Sequence, residues 1–248
     1  MLIYPQLSAA LIQFPVVKRR RMRTIVNAMA DGGAVKLSDP GGQTTEWELK
    51  YAELSDGELA ALQQFFAATE GSLNGFTFLD PAGNLLAWSE DLTNAIWNKG
   101  PLLQVHGGTL TNTGGGPQSL DQTLNSPGAY LYCFSLSARA AGGTGITLTI
   151  GSNRFQRSVT ADWSLLSATA QGDAGAGSIV FGIEIPGGVT VEVQGAQVEP
   201  QASPSRYQIS TTGGVYEGAR FRDDEFSFIS KGPNRHSATV NIVYANHL

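Results

Sequence analysis

From Leu102 to Glu199 the chain offers no stretch with the three- and four-residue apolar repeat of a helix. It offers short segments that alternate apolar and polar residues, parted by glycine and serine. Eight can be read off: "LLQVHGG", "QSLDQTL", "AYLYCFSLSA", "TGITLTIG", "NRFQRSVT", "SLLSATAQG", "GSIVFGIEI" and "VTVEVQGAQVE". A period of two is the mark of a half-buried strand, and regular strand-and-turn spacing without helices predicts a β-sandwich or jelly roll. Charge marks this region off from its flanks. Residues 101 to 200 carry nine of the 37 charged residues and 17 of the 30 glycines. The spacing and the charge together set a domain over residues 84 to 212.

The flanks read differently. "RMRTIVNAM" is a strand, "ADGG" a turn, "AVKLS" a short strand and "DPGG" a second turn, with Pro40 fixing φ. In "TTEWELKYAEL", Trp47, Leu49 and Tyr51 face one way and Glu46, Glu48 and Lys50 the other, as in an antiparallel strand with one face in the core. "LSDGELAALQQFFAATEG" predicts a helix. Ser55 is the N-cap and Glu58 completes a capping box. Leu59, Leu62, Phe66 and Ala67 form the buried stripe, with Phe65 at its edge, and Gly71 stands where a left-handed residue ends the helix. "NGFTFLDP" returns to strand and stops at Pro81. At the far end, "EFSFIS" and "SATVNIVY" alternate as strands around the turn "KGPN". Two strands alone are not a stable domain, so they are expected to complete the N-terminal sheet. The predicted fold is therefore mainly β. A small α+β domain, an antiparallel sheet plus one helix, spans residues 1 to 83 and 213 to 248. It is made discontinuous by the inserted β-sandwich, and "DPAG" is the exposed tip that receives the insertion.

Net charge is −5, which gives no expectation of sequence-specific nucleic-acid binding. Cys133 is alone, so no disulfide forms within the chain, and its apolar surroundings predict a buried small side chain. His106, His236 and His247 are scattered, and no Cys/His spacing suits zinc. No cofactor or metal motif is present. No run approaches the roughly 18 apolar residues that span a membrane, and the basic cluster follows the apolar "LSAALIQFPVV" rather than preceding it as in a signal peptide. Synthesis and folding in a cytosol are expected.

"TTEWELKYAELSDGELAALQQFFAATEGSLNGFTFLDP" resembles the distal tail, or tail hub, proteins of long-tailed phages and related gene transfer particles. "ARFRDDEFSFISKGPNRHSATVNIVY" is similar to the C-terminal strands of that family. The two parts cover about 120 residues. "NLLAWSEDLTNAIWNKG" resembles the opening of a carbohydrate-binding-like jelly roll found in phage tail and fibre proteins, and "VEVQGAQVEPQASPSRYQIST" resembles its ending. The first resemblance implies a structural virion protein at the tail tip, assembled in the bacterial host cytoplasm. It implies a homo-oligomeric ring, usually a hexamer, between the tail tube protein and the tail tip proteins, with inserted domains pointing outward. The second implies a module that binds host surface polysaccharide. The alternative is that the insertion is a spacer or docking platform for other tail proteins.

Sugar sites stack aromatic rings on sugar faces and bond hydroxyls with polar side chains. Trp163, after the polar turn in "TADWSLLS", is the leading candidate, with Tyr130, Tyr207 and Arg154 beside it and Tyr132 and Arg157 as further members. Trp88 and Trp97 sit in the opening motif and are read as core anchors of its first strand. The run "KRRRMR" holds Lys18, Arg19, Arg20, Arg21 and Arg23, read as inter-subunit or lumen contacts, with DNA phosphates in a tube as the alternative. Catalytic residues are not expected. The carboxylates of "SED" and "RDDE" are neighbours along the chain, and adjacent strand residues point to opposite faces, which makes a poor glycosidase pair.

Overall fold

Trp47, Leu49 and Tyr51 are buried and Lys50 is exposed, as the alternation around them requires. They lie on β2 (Ala34–Leu54), which pairs antiparallel with β1 (Val17–Ala28). The structure, a computed structural model, describes residues 2–7, 12 and 14–245. His247 lies outside the described residues. β1 takes in the whole basic run, four residues earlier than the sequence suggests. β2 runs straight through "DPGG", so the turn expected there does not form. Arg21 pairs with Thr44 but Arg23 pairs with Asp39, so Pro40 to Gln43 are extra residues facing Met22 in a shifted register. An irregularity of this kind is where a strand tolerates a residue with no N–H to give. The hairpin turns at Met29–Gly33, at the expected "ADGG", where Gly32 takes φ +83° and Asp31 accepts from the Gly33 amide.

Helix α1 (Asp56–Ala68) begins as expected. Ser55 Oγ accepts from the Glu58 amide at 3.3 Å, and the Glu58 carboxylate accepts from the Ser55 amide at 3.0 Å. Such a cap stabilises by about 1 kcal/mol. Leu59 and Leu62 are buried, but Ala67 is exposed. Ala67 stands five residues past Leu62, roughly 140° round the helix, and so leaves the stripe. Phe65 packs there instead, its ring 5.1 Å from Phe76 and 5.7 Å from Tyr4. β3 (Phe76–Leu79) is buried at all four positions.

The middle of the chain follows. β4 (Asn98–Lys99), β5 (Leu103–His106), β6 (Thr109–Asn112), β7 (Gln118–Leu124), β8 (Leu131–Arg139), β9 (Thr144–Ile150), β10 (Asn153–Val159), β11 (Ser164–Gln171), β12 (Ile179–Ile185) and β13 (Thr190–Glu199) form two antiparallel sheets. Their orders are β10-β9-β12-β7-β4 and β11-β8-β13-β6-β5. Inward residues of both sheets close one core, in which Tyr132 and Phe181 meet edge to face at 5.2 Å. This is a β-sandwich, and the chain is mainly β. "LLQVHGG" is not one strand. Gly107, at φ +57°, turns it into the β5–β6 hairpin.

The opening motif is corrected as well. Residues 84 to 97 form successive turns rather than a first strand. Trp97 is a core anchor, 2% exposed, with its indole N–H donating to the Trp88 carbonyl at 3.1 Å. Trp88 is not: it is 42% exposed and sits at φ +47°. Trp88 and Trp97 are an odd number of residues apart, so a single strand would place them on opposite faces, and the left-handed backbone at Trp88 leaves its ring at the surface.

The chain returns as β14 (Val215–Phe221), β15 (Phe228–Gly232) and β16 (Arg235–Ala245). β14 is not marked by the sequence pattern, and only the end of "EFSFIS" is strand. The sheet order is β1-β2-β16-β14-β3, with β15 paired to β16. β16 runs beside β2 from Thr44 to Leu54, so the C-terminal strands share the N-terminal sheet. Two compact units result, residues 1–78 with 216–248 and residues 79–215.

A candidate ligand groove on the sandwich

On β8, Tyr132, Phe134, Leu136 and Ala138 point into the core, so Ser135, Ser137 and Arg139 point out. On β13, Val191 and Val193 point in, and Glu192 and Gln194 point out. The alternation then breaks at Gly195, whose φ of +65° makes a bulge between Gln194 and Gln197. The bulge leaves the sheet surface open for the Tyr207 ring, which a Cβ on Gly195 would approach to 3.4 Å. The Tyr207 hydroxyl lies 2.9 Å from Ser89 Oγ. Burial first, and then its hydrogen bond to Glu90, hold that hydroxyl well above the usual tyrosine range. The segment after β13 is pinned across the lower part of the same face. Glu199 accepts from the Ser205 amide at 3.0 Å and from Gln201 Nε2 at 2.9 Å.

Between this segment and β11 lies a hollow of about 380 Å³, floored by Ser135, Ser137, Leu165 and Gln197 and walled by Arg206 and Tyr207. It shares Glu90 and Gln194 with a second hollow of about 300 Å³ that reaches Trp163 and Glu192. Together they make one groove along the outer face of the sheet. Gln197 is 2% exposed. Its Oε1 accepts from the Gln208 amide at 2.7 Å, but its Nε2, a buried donor, has no partner among the described residues. At the far end, Arg139 stacks over the Trp163 ring at 4.9 Å and holds Glu192 at 2.7 Å. Trp163 is 40% exposed. One face of the ring is taken by the guanidinium, and the exposed remainder is available to a ligand. The charged side chains lining the groove are Glu90, Glu192 and Arg206, and Arg139 offsets Glu192 through their ion pair, so the charges balance.

Of the four sugar-site candidates the structure brings two together. Trp163 and Tyr207 line the groove. Tyr130 stands just before β8, at the opposite end of that strand from Arg139, and packs against the sandwich core. Arg154 is on β10 in the other sheet, where it pairs with Glu184 at 2.7 Å. Arg157 donates to the Ser167 carbonyl and ties β10 to β11, and Tyr132 is wholly buried. Gln194, Gln197 and Arg139 are not singled out by the sequence, and Glu90 enters there only as a carboxylate of "SED". The glycine in "VQGAQVE" is the one signal for Gln197, since a bulge there redirects the side chains after it.

The basic run spreads over an edge strand. Lys18 lies over the Trp47 and Tyr216 rings at 5.4 and 5.6 Å. Arg19 pairs with Glu48, Arg21 with Glu46 and Arg23 with Asp39, each at 3.2 Å. Arg20 has no ion pair among the described residues. Charged side chains along an exposed edge are a common guard against unwanted strand pairing. Cys133 is buried, and burial pushes its thiol up.

No family model matches the chain, and no curated protein matches it. Solved structures do align with about half of the chain. A carbohydrate-binding module of family 4 is 19% identical over 50% of this chain and 92% of its own, with a TM-score of 0.35. The CBM22-1 xylan-binding domain of Paenibacillus barcinonensis Xyn10C is 13% identical over 50% of this chain and 99% of its own, at 0.38. The enzymatically active domain of tailspike protein 4 from bacteriophage CBA120 is 12% identical over 48% of this chain and 22% of that one, at 0.40. Likenesses this distant decide neither the fold nor the ligand of this chain. The sandwich rests on its own strand order and core.

Proposed function

We propose that this chain is a non-catalytic structural protein of a phage tail tip, whose β-sandwich holds a neutral surface polysaccharide in the groove. The observation that carries the binding half is the groove itself, with Gln194 and the Tyr207 ring in one hollow and the exposed part of Trp163 in the adjoining one. Amides that bond hydroxyls, next to an aromatic surface, are what a sugar needs, and a balanced set of charges favours an uncharged chain. Hydrolysis is disfavoured because Glu192 is held by Arg139 and Glu90 by Tyr207. The assembly half rests on the resemblance of the α+β unit to tail hub proteins. That resemblance carries the ring, the tail tube and tip partners and the virion location. An array of bacterial surface glycans tests the binding half with the intact chain. Neutral polysaccharides should be retained, and Trp163→Ala should weaken retention roughly tenfold or more, while Arg154→Ala should leave it unchanged. Retention that ignores Trp163, or none on any neutral glycan, would leave the insertion as a spacer or docking platform.

A further inference from the structure

The groove sheet is laid out in rows, because β11, β8 and β13 pair side by side. In the middle row Leu165 lies opposite Ser137, and Ser137 opposite Gln194. In the row toward the far end Arg139 lies opposite Glu192, with its guanidinium over the Trp163 ring. In the row the other way Ser167 lies opposite Ser135, and Ser135 opposite Gln197. Ser135 and Gln197 are buried there, where the pinned segment crosses the face. The two open rows differ in chemistry from one strand to the next. β11 presents two apolar side chains, Trp163 and Leu165, the latter 63% exposed. β8 and β13 present a hydroxyl and an amide, Ser137 and Gln194. A lone exposed leucine is ordinary on a protein surface. Leu165 is not alone: it floors the larger hollow, and it stands two strand residues, about 7 Å, from Trp163 on the same face.

An apolar strip bordered on one side by hydroxyl and amide groups selects a ligand with the same two sides. A pyranose has them: C–H groups gather on a ring face, and hydroxyls line the ring edge. A protein strand adding to the edge of β11 is opposed, because Arg157 of β10 already donates to the Ser167 carbonyl from Nε at 2.9 Å and from Nη2 at 2.7 Å. The balanced charges of the groove favour an uncharged occupant.

We infer that Leu165 is a second ring platform beside Trp163, and that a linear chain of neutral pyranoses lies along β11, its C–H faces on Trp163 and Leu165 and its hydroxyl edge toward Ser137 and Gln194. This rests on the glycan reading proposed above and adds to it a contact residue and the direction of the chain. The spacing of about 7 Å lets neighbouring rings rest one on each platform. A branch or acyl group on the face toward β11 would lift the rings from both, so the ligand is a chain unsubstituted on that face. Affinity of the intact chain for the neutral array polysaccharide it retains best tests this, with Leu165→Ser and Leu165→Met compared. Leu165 is exposed, so both variants should melt with the unaltered protein. Leu165→Ser should weaken binding about tenfold. Leu165→Met keeps the apolar surface and should stay within about twofold. Methyl-labelled protein should show nuclear Overhauser contacts between the Leu165 methyls and sugar ring C–H protons. If Leu165→Ser binds as tightly as the unaltered protein while Trp163→Ala loses binding, the Leu165 platform is overturned and the glycan reading stands. If Leu165→Met falls as far as Leu165→Ser, apolar contact is not what Leu165 supplies, and the platform is overturned in the same way. If neither Trp163→Ala nor Leu165→Ser weakens retention, the platform and the groove reading are overturned together.

Discussion

Asn84 shows at a single residue why the opening and ending motifs of the sandwich occur together. Its Nδ2 donates to the carbonyls of Ala196 at 2.8 Å and Gln208 at 3.2 Å, and its Oδ1 accepts from the amides of Leu86 and Val198. One buried side chain thus satisfies backbone groups of both motifs. A few residues on, Ser89 repeats the stitch, accepting from the Ser210 amide and meeting the Tyr207 hydroxyl. Asn84→Ala should cost about 3 kcal/mol, since it strands several buried backbone groups at once. Denaturant unfolding followed by fluorescence would measure this. A loss within about 0.5 kcal/mol, as at an ordinary surface site, would contradict the role given to Asn84. None of this is visible as chemistry in the sequence, where "GN" after "DPA" reads only as a turn.

The strands and the helix were legible wherever local pattern and tertiary packing agree. "TTEWELKYAEL" is a strand because its alternation meets a real core face, and α1 is a helix because Ser55 and Glu58 close its first turn. The failures have particular causes. "DPGG" reads as a turn, but β1 supplies a continuous partner on both sides of it, and an extended partner overrides local turn chemistry. β14 was missed because "VYEGARF" interrupts its alternation with Gly218, whose φ is +83°. The groove was half legible. Trp163 follows a polar turn, so its exposure could be anticipated, whereas Gln197 faces the groove only because Gly195 bulges. Arg154 and Tyr130 lie away from the groove for a topological reason: they stand on another sheet and at another strand end, and one-dimensional spacing carries no information about either.

Across the whole molecule the two units should respond differently to acid. Lys50 and then Arg19 hold the Glu48 carboxyl below its usual range, Arg235 does so for Glu53, His236 for Asp56 and Ser72 for Asp224. All four belong to the α+β unit, whereas the sandwich has only Asp91, lowered by Thr93. A depressed carboxylate stabilises fully above its unfolded value, roughly 4 to 4.5, and that contribution is lost as pH falls through the lower folded value. Glu48 is half-buried and the others are exposed to solvent, so each effect is small. Melting followed between about pH 5 and pH 3 should lower the transition of the α+β unit more than that of the sandwich, and an equal or reversed order would contradict this. The central claim is that the sandwich receives a neutral glycan on the outer face of β8 and β13. Amide chemical-shift mapping of the intact chain, titrated with the polysaccharide it retains best, tests that claim directly. Shifts should concentrate at Ser137, Gln194, Gly195 and Tyr207, with the Gln197 side-chain amide moving with them. Shifts gathered around Arg154 and Glu184 on the opposite sheet, with the Gln197 amide unmoved, would contradict it.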